Sequence, residues 1–97
     1  MLNPANMPPS LISLIPMAER WGIGDDIDRE LALDRATTED LNALIHAIDR
    51  ISDEDFYGWL AGSEARNPHP SEEYLAMSCL ALAIESAKVI LKKLRQH

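Results

Sequence analysis

Tyr74-Leu75-Ala76-Met77-Ser78-Cys79-Leu80-Ala81-Leu82-Ala83-Ile84 is the stretch that decides the fold of this 97-residue chain: ten of its eleven residues are apolar and only Ser78 is polar. It sits inside a longer segment, residues 71–96, that contains neither Gly nor Pro. Such a segment predicts one continuous helix. At 1.5 Å per residue it is a rod roughly 39 Å long, whereas a compact chain of this size has a radius of gyration of only about 13 Å. The rod therefore crosses the whole body, and the rest of the chain has to wrap it.

Both ends of the rod are signalled. Pro70 cannot continue a helix backwards, Ser71 can cap the free N–H groups, and Glu72 and Glu73 suit the positive end of the dipole. Lys88, Lys92, Lys93 and Arg95 fall in the last turns, where cations are favoured. At 100° per residue, Ala76, Cys79, Leu80, Ala83, Ile84, Ala87, Ile90, Leu91 and Leu94 share one wide face, which Leu75, Leu82 and Val89 broaden beyond half the circumference. Ser78, Glu85, Lys88, Lys92 and Arg95 form the strip suited to water. The eleven-residue apolar run is well short of the roughly 20 residues that cross a bilayer, so no membrane partner is expected.

An Asp-Arg pair recurs at Asp34-Arg35 and Asp49-Arg50, each followed by a hydroxyl residue (Thr37, Ser52) and then an acid three positions later (Asp40, Asp55). This reads as one helix closing and the next being capped. Glu19-Arg20, followed by Gly22, Gly24 and Asp25, is a looser joint in which glycine supplies the turn. The joints predict helices over about 11–21, 25–35, 38–51 and 53–61, the last ending at Gly62, with a non-helical link at 63–70. Pro16 is awkward in the first of these. Either Ser10 caps a kinked helix, or Ser13 caps a shorter one that holds Pro16 in its first turn. No alternating β-branched run is present, and Val89 is the single valine. The expected fold is all-α: a small single-domain helical bundle in which four short helices pack around one long C-terminal helix. Residues 10–97 form the domain, and residues 1–9, rich in proline, form a flexible N-terminal arm.

The net charge of −7 is unevenly placed: residues 24–55 carry −8 and residues 88–97 carry +4. An acidic molecule with one basic end repels a phosphate backbone over most of its surface, so no nucleic-acid partner is expected. Cys79 is the single cysteine, which excludes an intrachain disulfide and reads as a small buried hydrophobe. With no early basic cluster and an apolar stretch broken at Pro16, a secretory signal is not expected. A cytoplasmic location is the default.

Asp26, Asp28 and Glu30 imitate the start of a calcium loop, but Leu31 stands where glycine is needed and Thr37 where a bidentate glutamate is needed. His46 lies on the polar side of its helix and His69 stands between prolines, so no metal site and no cofactor are implied. Ser63 and Ser71 lack an identifiable base, and no pair of carboxylates is brought together by spacing, so nothing identifies an enzyme.

Four of the five aromatic residues, Phe56, Tyr57, Trp59 and Tyr74, flank the link that contains Asn67-Pro68-His69-Pro70. Loops set on rigid helices commonly carry binding residues, and Trp, Tyr and Arg are enriched at interface hot spots. Tyr57, Trp59, Arg66, His69 and Tyr74 are therefore the candidate binding residues. The functional expectation is a small acidic protein-interaction or regulatory module that self-associates as a homodimer through its long helix. The alternative is an immunity- or decoy-like protein that covers a basic partner with the acidic 24–55 surface. A small-ligand binder or enzyme with a pocket beneath 59–74 ranks third.

Overall fold

The computed structural model describes residues 2–66 and 71–95, with backbone alone at 64–66. All its regular elements are helical. Helix α1 spans Ile15–Trp21, α2 Asp26–Asp34, α3 Thr38–Ile45, α4 Asp53–Arg66 and α5 Glu72–Arg95. Short 3₁₀ segments at Pro4–Asn6, Pro9–Leu14 and His46–Ile48 extend or precede them. The four shorter helices pack around α5, with α1 and α3 making the broadest contacts to it. At 44 Å the longest dimension of the molecule is close to the ~36 Å length of a 24-residue helix, so α5 does run through the body.

Capping places the helices where the joints predict them. Asp25 accepts the Asp28 N–H at 2.8 Å. Thr37 and Asp40 form a reciprocal capping box, Ser52 accepts from Asp55 at 3.1 Å, and Ser71 accepts from Tyr74 at 3.1 Å. Arg20 reaches from α1 to Asp40 at 3.3 Å. Burial pushes the Asp40 carboxyl up, but the Thr37 N–H and the Arg20 guanidinium together hold it below the usual carboxylate range.

Four boundaries differ from expectation. The segment 11–21 is not one helix: Pro9–Leu14 is 3₁₀, and Pro16 takes the second position of α1, where its missing N–H costs nothing. Neither Ser10 nor Ser13 caps it. Helix α3 stops at Ile45 and tightens into 3₁₀, a common ending. Helix α4 runs past Gly62 to Arg66, because one glycine costs only about 1 kcal/mol and the next proline is Pro68. Residues 2–9, expected as an arm, are packed down. Leu2 and Met7 are buried in the core, and the Asn3 N–H donates to Glu73 Oε1 at 2.8 Å while Asn6 Nδ2 donates at 3.3 Å.

Glu73 is therefore a buried clamp at the start of α5, tying the N-terminal segment to the rod. Burial pushes its pKa up, and the donors from Asn3 and Asn6 more than offset this, leaving it lowered. A lowered folded-state pKa adds stability above the ordinary value of 4.5, lost as the pH falls through the folded value. Urea unfolding at pH 7 and pH 3 should show this loss, and Glu73→Gln should reduce it. An unchanged pH dependence in Glu73→Gln would remove the clamp.

Gly22 and Gly24 divide the work of their joint in an unforeseen way. Gly24 alone has a positive φ, +108°, while Gly22 is in an ordinary backbone conformation at φ −100° and ψ 0°. What Gly22 provides is proximity: a Cβ built there would lie 2.2 Å from the Ala76 carbonyl oxygen.

Candidate functional site

The residues singled out around the link do not converge on α4. Tyr57 is exposed, with its ring edge-on to buried Phe56 at a centroid distance of 5.0 Å. Trp59 is half-buried against the core. Two positions apart on a helix, these rings leave the axis about 200° apart, so α4 does not present them on one surface. Tyr74 is half-buried in the first turn of α5. Arg66 is the last residue of α4, and its side chain, like His69, lies outside the described residues.

A different surface stands out on α5. Ala76, Met77, Leu80, Ala83, Ile84, Ala87 and Leu91 turn into the core. The opposite side is also apolar: Leu75, Leu82 and Val89, seven residues apart, are 50%, 56% and 53% exposed. A seven-residue spacing keeps side chains on one line along a helix. Ser86 and half-buried Cys79 sit beside that line, and Lys93 continues it beyond Val89. Helix α2 flanks it and carries its own exposed apolar residues, Ile27 and Leu31, with Ile23 just before it. Between the Gly22–Gly24 joint and the first turns of α5 a cleft of about 300 Å³ opens beside Ile23, Leu75 and Cys79. A second cleft of about 360 Å³ lies beside Leu33, Val89 and Ile90.

Acids border the same seam. Asp26, Glu30 and Asp34 are exposed along α2, and Asp26 pairs with the Nη2 of Arg29, which is itself buried. The Nη1 of Arg29 has no hydrogen-bond partner among the described residues. Asp26, Asp28 and Glu30 lie on a regular helix and not in a loop, a backbone unlike that of a calcium loop. Elsewhere His46 Nδ1 lies 2.5 Å from Asp49 on the surface. Among the described residues no three His, Cys, Asp or Glu side chains are grouped to hold a metal ion.

Among the described residues the arrangement is an exposed apolar line on α5 with acids of α2 beside it. By length and composition α5 could also cross a membrane, although in this fold the shorter helices cover its core-facing side. No protein-family model matches the chain, and neither a curated protein nor a solved structure matches it.

The Leu75–Leu82–Val89 line was legible in the sequence as the edge of an over-wide apolar face. Which part of that face stays open depends on where the other helices pack.

Proposed function

We propose that this chain is a small protein-interaction module that self-associates through the outward face of α5. The observation that supports the reading is the line of three half-exposed aliphatic side chains, Leu75, Leu82 and Val89, on the longest helix. A strip ~36 Å long and ~10 Å wide covers about 400 Å², roughly half of the ~800 Å² that each partner gives to a standard interface. Ile23, exposed just before α2 and beside Leu75, supplies more apolar area.

An antiparallel register centred on Leu82 sets Leu75 against Val89 of the second copy. It also brings Lys93 of one copy towards Glu72 and the acidic start of α2 on the other. The helix dipoles oppose one another in this pairing, and both the apolar and the charged contacts are satisfied together.

Sedimentation equilibrium at tens of micromolar should give twice the monomer mass. Leu82→Glu, a substitution at a half-exposed position, should return the chain to a monomer with unchanged helicity. A wild-type monomer at that concentration would exclude the proposal.

A second reading has its own observation: Asp25, Asp26, Asp28, Glu30 and Asp34 are all exposed on or just before α2. Such a surface suits a basic protein partner, and binding would weaken steeply with salt. Self-association driven by Leu82 would be much less sensitive. A cytoplasmic location belongs to the same proposal, and cell fractionation tests it.

A further inference from the structure

On the other side of α5, away from α2, a cleft of about 490 Å³ opens between α3 and the last turns of the rod. The α5 side of its polar wall is cationic. Lys88, Lys92 and Arg95, at positions i, i+4 and i+7, line it from α5, and the neutral side of the wall is Asn42 of α3 with His46 of the 3₁₀ turn after it. Between these walls lie Ile45, half-buried, and Leu91, buried. The cleft exists because α3 ends at Ile45 and does not follow α5 to its end.

The charge balance here is opposite to that of the whole molecule. The chain carries −7, yet three permanent cations converge on this cleft. Two acids are close by: Glu85 lies 3.3 Å from Lys88 and Asp49 lies 2.5 Å from His46. The C-terminal end of the α5 dipole adds about half a negative charge. Lys92 and Arg95 carry no ion pair with a described residue, so two cations are left to meet a ligand. A solvated basic helix face needs no apolar floor beneath it. Here the cations stand over Ile45 and Leu91, and the volume falls within the ~300–1,000 Å³ of small-molecule sites.

We propose that this cleft binds a small amphiphilic anion, a carboxylate with an unbranched apolar body. The body lies along Ile45 and Leu91, and the head group takes its charge-assisted hydrogen bonds from Lys92 and Arg95. The site is separate from the self-association face, from which it lies across the helix.

Decanoate below its micelle concentration is the probe, with decanol and inorganic phosphate as its two halves. Each is titrated by calorimetry and by amide chemical-shift mapping, in the wild type and in Leu82→Glu. Decanoate should bind at least tenfold more tightly than either half, with shifts centred on Ile45, His46 and Leu91, and equally in both proteins. The Lys92→Gln, Arg95→Gln double variant, altered only at exposed positions, should weaken decanoate at least tenfold and leave decanol unchanged. Equal binding of decanol, equal binding of phosphate, or shifts centred on Leu75 and Leu82 would each overturn the site. So would binding confined to anionic phosphatidylglycerol vesicles, or no binding at millimolar decanoate.

Discussion

Replacing Gly22 with alanine should destabilise the fold by about 3 kcal/mol or more, at or above the upper end of ordinary overpacking. The added Cβ would lie 2.2 Å from the Ala76 carbonyl oxygen and 2.8 Å from that of Ala18. Both are backbone atoms of helices, so neither can rotate aside as a side chain would. Relief requires α1 and α5 to move apart, which loosens Ala18, Trp21 and Ala76, all buried at that contact. Gly24→Ala is the control. Its Cβ would meet nothing within 4 Å, but its φ of +108° strains any side chain, at a cost of about 1–3 kcal/mol. Urea unfolding with a common m-value measures both. A loss under about 0.5 kcal/mol in Gly22→Ala, the range of an ordinary surface substitution, would show that the two backbones do not approach as described.

Phe56→Ala should cost about 3–5 kcal/mol, a large part of the roughly 5–15 kcal/mol that holds a domain of this size together. Phe56 is 0% exposed and is the largest fully buried side chain among the described residues. It projects from the first turns of α4, a helix whose other inward residues, Trp59 and Leu60, are only partly covered. Truncation leaves a cavity that the rigid helices cannot close. Loss of packing should also reach Trp59 one turn away, so its fluorescence should shift to the red before the global transition. Phe56→Leu keeps most of the volume and should lose no more than about 1.5 kcal/mol. Equal stability of the alanine and leucine variants would mean that α4 is not anchored through this ring.

The helix joints were readable because capping is local. Thr37 and Asp40, Ser52 and Asp55, and Ser71 and Tyr74 each lie three residues apart, and their bonds form in the structure as the spacing requires. Glu73 was not readable as a clamp. Its sequence position suits a helix dipole equally well, and its burial depends on Asn3 and Asn6, about seventy residues earlier. The same distance hid the packing of residues 2–9. Tyr57 and Trp59 stand out in the sequence by residue type, but the turn of α4 separates them. The basic cleft was hidden by a boundary: only when α3 stops at Ile45 do Lys88, Lys92 and Arg95 border a space instead of a solvated face.

By itself the sequence determined that the chain is helical, where most helices begin, and that a rod near the carboxyl end is too apolar to stand alone. Those properties follow from hydrophobic period, from Gly and Pro, and from side chains that bond to backbone three residues away. Tertiary structure decided which part of the rod stays open. The period marks Leu75, Leu82 and Val89 as apolar but does not say whether four short helices can reach round a cylinder to cover them. They cover one side, because each helix that packs on α5 occupies an arc of its surface, and the arcs of α1 to α4 do not close the circle.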